Sequence, residues 1–126
     1  VGLFNHDNFS RSLPETKIVL NTSLSNNNHT FSLFGRYISD YSTTRPLSSV
    51  AKSAGFNQKI DQWLTFDIQY SYSLALSGNE IRLSIGGNNI LDKDVPIVYD
   101  AANFSYDPKH HDPRGRLIYF GLKLFR

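Results

Sequence analysis

The residues best suited to chemistry lie in one stretch near the end of the chain, residues 107–112. Its two adjacent histidines, His110 and His111, stand between aspartates, and imidazole and carboxylate groups are common ligands of zinc and iron. Adjacent histidines rarely both reach one ion, and a proline and an arginine directly after the stretch stiffen its far end. We therefore expect no metal and no cofactor here.

A turn that locks a loop is the other interpretation of the same stretch. The predicted locking motif consists of Asp107, Asp112, Arg114 and Arg116. In this interpretation the Asp112 carboxylate pairs with one of the two arginines, and the pair holds the loop in place. We favour this structural role over ion binding.

Other residues that could act on a substrate lack the setting that catalysis needs. The glycine-rich run at 86–89 is not followed by a helix, which a phosphate-binding loop requires. No serine occurs in a G-x-S-x-G elbow. The aspartates of 92–100 lie in a loop expected to be wet, and the chain has no cysteine. We therefore expect that the protein is not an enzyme.

Binding of a small ligand is the chemistry that loop side chains can still offer. Aromatic rings and imidazoles stack on, or hydrogen-bond to, sugars, peptides and metal chelates. The candidates in the last long loop are Tyr99, Phe104, Tyr106, His110 and His111. The same side chains could instead pack on neighbouring loops. A net charge of +2 is too small to indicate nucleic acid as a partner.

The clearest element that could position these residues is a strand at 63–77. Even positions from Leu64 to Leu76 are apolar or aromatic, and odd positions from Thr65 to Ser77 are polar or small. Side chains alternate between the two faces of a strand, so the pattern predicts one apolar and one polar face. Weaker copies of the pattern predict four more strands, at 16–25, 29–41, 80–89 and 115–125.

Connections of alternating length join the predicted strands. Residues 25–28 and 77–79 are tight links rich in Asn and Gly, which tolerate positive φ. The links at 42–60 and 91–114 are long, and residues 1–14 resemble the end of another long loop. This alternation of short and long connections predicts an all-β, antiparallel up-and-down meander of about five long strands.

A meander with one apolar face has two physical interpretations. In a soluble β-sandwich that binds carbohydrate or peptide, a second sheet covers that face, and strands average about five or six residues. In an outer-membrane barrel, lipid covers that face, strands need about 9–11 residues, and the polar face lines the lumen. The length of the predicted strands favours the barrel. Its predicted lumen-facing residues are Arg36, Asp67, Gln69 and Arg82.

Aromatic residues and strand number add two expectations to the barrel interpretation. Tyr37, Tyr41 and Trp63 stand at the ends of long loops, where an aromatic girdle would meet the membrane interface. Five strands cannot close such a barrel, because the smallest common ones have about eight. Open edges would leave backbone groups unpaired in lipid. We therefore expect the chain to be a piece of a longer protein.

Two motifs near the end of the chain resemble a known family. Residues 86–96, GGNNILDKDVP, are similar to the G-x-N-N-L-F-D-K-x-P-P segment of TonB-dependent outer-membrane receptors. Residues 106–116, YDPKHHDPRGR, are similar to the Y-D-x-x-x-H-D-P-R-G-R motif of the same family. Upstream, residues 35–41 and 64–72 resemble late strands of its barrel.

The resemblance, which covers most of residues 15–126, implies that the chain is the C-terminal part of a barrel of about 22 strands. It implies a chain without plug domain or TonB box, whose partners are outer-membrane lipid, the rest of the barrel and plug, and the TonB complex through an N-terminal part. The implied function is active import of a scarce nutrient across the bacterial outer membrane. Siderophore, vitamin, oligosaccharide and peptide all remain open as the ligand. The family usually ends in Phe, whereas this chain ends Phe125-Arg126.

Overall fold

Strands dominate the computed structural model, which describes residues 3–4, 14–43, 46–98, 106–108 and 110–125. Within these residues the elements are β1 Leu3–Phe4, β2 Lys17–Asn26, β3 His29–Ile38, β4 Tyr41–Thr43, α1 Ser49–Ser53, β5 Lys59–Ile60, β6 Trp63–Leu76, β7 Asn79–Asn88 and β8 Leu117–Phe125. The protein is therefore all-β, as its sequence predicts.

The five long strands form one sheet in the order β2-β3-β6-β7-β8. Strands β6, β7 and β8 pair antiparallel with their neighbours. Each long strand lies beside the long strand before or after it in sequence, so the sheet is a meander. The five predicted long strands are thus confirmed, because alternation of apolar and polar residues over nine or more positions indicates a β-strand.

Tight turns close the β2–β3 and β6–β7 hairpins, as predicted. Asn27 has a φ of 50° in the first turn, and Ser77 and Gly78 have φ values of 50° and 83° in the second. Positive φ at both central residues, as at Ser77 and Gly78, is the requirement of a type I′ turn, whose twist matches that of the flanking strands. Asn and Gly adopt this backbone region at little cost, which explains why they mark these turns in the sequence.

A second, smaller sheet corrects the prediction of one strand at 29–41. Strand β3 ends at Ile38, and Tyr41–Thr43 forms a separate strand in a three-stranded sheet of order β1-β4-β5. The predicted loop at 42–60 also contains the helix Ser49–Ser53, whose N-cap Ser48 accepts a hydrogen bond from the Ala51 amide. Elements of two to five residues are too short to show a period in the sequence.

The chain divides into two compact units, which are described separately here. The first unit comprises residues 1–18, 37–64 and 94–113, and the second comprises residues 19–36, 65–93 and 114–126. The second unit holds most of the five-stranded sheet. No helix in the described ranges is long and apolar enough to cross a lipid bilayer.

The core of the first unit overturns the prediction that Tyr41 and Trp63 belong to an interfacial girdle. The two side chains are only 3% and 2% exposed, and they pack with Ile38, Ile60 and Val98. A buried ring cannot reach the headgroups of a bilayer. The sequence shows that a ring ends a strand, but it does not show which side chains will cover that ring.

Candidate functional site

The large sheet exposes its apolar face and buries part of its polar face. On β6, Ser71 is 7% exposed, whereas Tyr70 and Leu76 are 40% and 58% exposed. In water a sheet normally covers its apolar face and leaves its polar face wet. The burial pattern of this sheet is therefore the reverse of that of a soluble sheet.

Strand register makes the apolar face continuous over three strands. Tyr70 pairs with Ile85, and Ile85 pairs with Phe120, and directly paired residues point to the same side of a sheet. The apolar face consists of Ile68, Tyr70, Tyr72, Leu74, Ile81, Leu83, Ile85, Ile118, Phe120, Leu122 and Leu124. Phe120 and Leu122 are 79% and 74% exposed. An open groove of about 730 Å³ lies among these side chains.

The opposite side of the same strands, the polar face, is hydrogen-bonded within itself. The Tyr119 hydroxyl donates to Gln69 Oε1 at 3.1 Å, and Gln69 Nε2 donates to Ser71 Oγ at 3.1 Å. The Ser71 and Ser84 hydroxyls lie 3.1 Å apart. The polar face consists of Gln69, Ser71, Ser73, Glu80, Arg82, Ser84, Gly86, Tyr119, Gly121 and Lys123. Two predicted lumen-facing residues, Gln69 and Arg82, therefore share one surface.

The charges nearest the β6–β7 turn are paired on this polar face. Arg82 Nη2 lies 3.0 Å from Glu80 Oε1, and Arg82 Nε donates to Ser73 Oγ at 3.2 Å. The Ser73 hydroxyl donates to the same Glu80 oxygen at 3.0 Å. The Arg82 guanidinium carbon also lies over the Phe125 ring, 5.2 Å from its centroid. The Arg82 and Glu80 side chains are each 45% exposed, so solvent reaches this ion pair.

A glycine on the polar face makes room for an aromatic ring. A Cβ atom at Gly86 would collide with the Tyr119 ring, which lies over the backbone of β7. The absence of a side chain at Gly86 therefore leaves the space that this ring fills. Tyr119 thereby gains the position from which its hydroxyl reaches Gln69.

Asp67 on β6 contacts both β3 and the residue that directly follows β7. Its Oδ2 lies 2.9 Å from Arg36 Nη2 on β3, and its Oδ1 accepts the Asn89 amide at 2.8 Å. Two more predicted lumen-facing residues, Arg36 and Asp67, are thus brought into contact. A cavity of about 210 Å³ lies beside Asp67 and is also lined by Gln69 and Tyr119. Polar groups capable of holding a hydrophilic ligand or another chain segment converge there.

Asn89 and Asp92, for which the sequence predicts no role, fix the segment after β7 through their side chains. The Asn89 amide group donates to the Lys93 carbonyl at 3.0 Å and accepts the Lys93 amide at 2.9 Å. Asp92 Oδ1 accepts the Arg116 amide at 2.9 Å, and Asp92 Oδ2 lies 3.5 Å from Arg116 Nη2. The two family-like motifs therefore meet through Asp92 and Arg116. Asn89 and Asp92 have φ values of 46° and 53°, a conformation that Asn and Asp adopt more readily than most residues.

The histidine stretch belongs to the first unit and packs on its core. Asp107 Oδ2 accepts the Tyr41 hydroxyl at 2.9 Å, and the Asp107 carbonyl accepts the amides of His110 and His111 at 3.2 and 3.0 Å. The His111 ring stacks on Tyr41 and meets the Trp63 ring edge-on, with centroids 6.3 and 5.2 Å apart. These contacts are those of a loop held in place.

Burial determines the charge state of His111. Desolvation lowers the pKa of its imidazole below the ordinary value of 6.5, and this effect outweighs the opposing influence of Asp107. The electrostatic influence of nearby His110 and Lys17 lowers the pKa further. His111 is therefore neutral at physiological pH.

The remaining predicted contact residues divide by position. Tyr99 and Phe104 lie outside the described residues, Tyr106 and Asp112 are half-buried, and Arg114 is exposed. Among the described residues, no group of three or more histidines, aspartates or glutamates could hold a metal ion. The described side chains could therefore bind a ligand through aromatic rings, amide groups and paired charges.

No family model, curated protein or solved structure matches the chain.

Proposed function

We propose that the chain forms strands and loops of a membrane-embedded β-barrel, the C-terminal part of a TonB-dependent outer-membrane transporter that imports a scarce nutrient. One observation carries the membrane part of this proposal: the apolar face is exposed while the polar face is hydrogen-bonded to itself. Phe120 at 79% and Leu122 at 74% exposure would be costly in water, at roughly 25 cal/mol per Å² of apolar surface. Hydrocarbon removes that cost.

Strand length supports the same interpretation. Strand β6 has 14 residues and β2, β3 and β7 have 10 each. A strand tilted by about 45° needs about 9–11 residues to cross a bilayer. The long strands therefore have the reach that a membrane span requires, whereas sandwich strands average about five or six residues.

The polar face supports a watery lumen. Its groups satisfy one another through Tyr119, Gln69 and Ser71, and its charges are paired at Arg82 and Glu80. Inward-facing side chains of outer-membrane barrels are polar in this way. The transport part of the proposal rests on the likeness of residues 86–96 and 106–116 to the receptor family.

Single cysteines test the membrane part, because the natural chain has none. We would replace Phe120 and Leu122 on the apolar face, and Ser84 and Lys123 on the polar face, label each cysteine with a fluorophore, and reconstitute the protein into vesicles that contain nitroxide-labelled lipid. The expected result is strong quenching at positions 120 and 122 and weak quenching at 84 and 123. Equal quenching on both faces, or a labelled protein that stays in buffer, would contradict membrane embedding and favour the soluble carbohydrate- or peptide-binding sandwich.

The transport part needs a separate test in a Gram-negative host. Uptake of iron–siderophore, cobalamin, oligosaccharide and peptide would be compared between cells with and without the protein, each with and without TonB. Uptake of one ligand that requires both proteins is the expected result. If the protein embeds in the membrane but supports no TonB-dependent uptake, the transport part of the proposal is contradicted and the barrel has another function.

A further inference from the structure

Two adjacent histidines of the first unit make different contacts. His111 is 4% exposed and packs between Tyr41 and Trp63. His110 is half-buried and meets the ammonium group of Lys17. Both rings also lie beside the Tyr41 ring, with centroids 6.2 and 6.3 Å from it.

The ring of His111 has one satisfied nitrogen and one nitrogen without a partner. Its Nδ1 lies 3.3 Å from the Asp107 carbonyl oxygen, which can only accept, so Nδ1 carries the hydrogen. Its Nε2 is buried and makes no hydrogen bond, and the same holds for the nearby Trp63 Nε1. A proton added at Nε2 would create a buried donor and a buried charge with no acceptor. Burying an unpaired charge is among the most costly changes in a protein interior.

The ring of His110 is constrained by a cation. Lys17 Nζ lies 2.9 Å from His110 Nδ1, and an ammonium group can only donate. His110 Nδ1 must therefore carry a lone pair.

We propose that residues 106–108 and 110–112 belong to an acid-sensitive latch, docked on Tyr41, Trp63 and Lys17 while the His111 imidazole is neutral and released when it is protonated. The groups that face His111 are Asp107, His110 and Lys17, together with the Tyr41 hydroxyl that donates to Asp107. Only Asp107 favours the imidazolium. The proposal uses contacts of the first unit alone and does not depend on a transport function.

The direction of the pH dependence follows from proton linkage. The docked loop holds His111 with a pKa below the ordinary 6.5, so the released loop binds more protons than the docked loop. Docking is therefore fully stable above about pH 6.5 and weakens as the pH falls below that value. Each coupled proton raises the ratio of released to docked loop by up to about tenfold per pH unit.

Fluorescence can follow the latch directly, because Trp63 is the only tryptophan in the chain. The full chain in detergent micelles would be titrated from pH 7.5 to pH 5. We expect a red shift of the Trp63 emission and greater quenching by acrylamide, with a midpoint below 6.5. No change in either signal over this range would overturn the proposal.

Variants separate the two histidines from other acid-sensitive groups. H111F keeps a ring between Tyr41 and Trp63, and H110Q keeps an acceptor for Lys17, so the double variant should stay docked with a flat pH profile. H29Q is the matched control, because His29 contacts Tyr70 in the second unit and should leave the Trp63 response unchanged. An acid shift that persists in the double variant would overturn the proposal.

Amide exchange keeps the test decisive if the double variant does not fold. The His110 and His111 amides bond to the Asp107 carbonyl at 3.2 and 3.0 Å, so docking protects both. In the natural chain, their protection, corrected for the intrinsic pH dependence of exchange, should fall between pH 7 and pH 5, by up to about tenfold per pH unit. The Ser73 amide, which bonds to the Asn28 carbonyl, provides the reference. Unchanged protection at His110 and His111 would refute the latch.

Discussion

Replacing Asp67 should loosen the end of β7 in two separable steps. The carboxylate makes two contacts: Oδ1 accepts the Asn89 amide at 2.8 Å, and Oδ2 pairs with Arg36 at 2.9 Å. D67A removes both contacts. D67N keeps an oxygen that can accept the Asn89 amide but loses the charge that attracts Arg36. Comparison of D67A with D67N therefore measures what the remaining neutral acceptor contributes.

The magnitudes differ because the two contacts differ in burial and in chemistry. A hydrogen bond to a charged acceptor contributes about 1.5–3 kcal/mol, and the Asn89 residue that donates it is 7% exposed. The Arg36 and Asp67 side chains are 40% and 19% exposed, so solvent screens their ion pair to about 0–1 kcal/mol. We expect D67A to cost about 2–4 kcal/mol and D67N about 1–2 kcal/mol, since a charged acceptor is roughly twice as strong as a neutral one.

Amide exchange at Asn89 is the direct assay. A cost of about 1.4 kcal/mol is tenfold in an equilibrium, so protection should fall about 30-fold or more in D67A and about 5–30-fold in D67N. R36Q, which removes only the ion pair, should change protection less than about fivefold. The reference is the Ser73 amide, which bonds to the Asn28 carbonyl. Equal losses in D67A and D67N, or a loss below threefold in D67A, would refute the assignment of the Asn89 hydrogen bond as the stronger contact.

Two further substitutions test the close approaches in the second unit. G86A should destabilise the sheet by about 1–3 kcal/mol in denaturant titration, because its Cβ would collide with the Tyr119 ring. G121A is the control: its Cβ would meet only Ser84, at 3.6 Å, and should cost far less. Equal costs for the two variants would contradict the placement of the Tyr119 ring. N89A should expose the Lys93 amide to exchange, because it removes both hydrogen bonds to the Lys93 backbone. Unchanged Lys93 protection in N89A would show that the lock does not depend on that side chain.

Prediction from sequence succeeded for the long strands and failed for the short elements. Strand β6 alternates over 14 residues, so its type and bounds follow from the pattern alone. The strands Tyr41–Thr43 and Lys59–Ile60 have three and two residues, and they exist because they pair with each other. Pairing between distant residues leaves no local signal in either segment.

The sequence predicts which face of the sheet a site residue lies on, but it does not predict the residue's hydrogen-bond partners. The even–odd pattern puts Asp67 and Gln69 on the polar side of β6, and the structure has them there. Their partners, Asn89 and Tyr119, lie 22 and 50 residues away. The same limit explains why Trp63 was expected at an interface and lies instead in a core beside His111.

The sequence by itself determined strand type, the positions of the tight turns and the polarity of each face, because alternation and positive-φ residues act within a few neighbours. The tertiary structure alone decided which face is exposed, because burial depends on what other segments cover. It also decided that Asp92 meets Arg116 and that His111 is enclosed with an unpaired nitrogen. These contacts join residues far apart in sequence, and only the folded chain brings them to bonding distance.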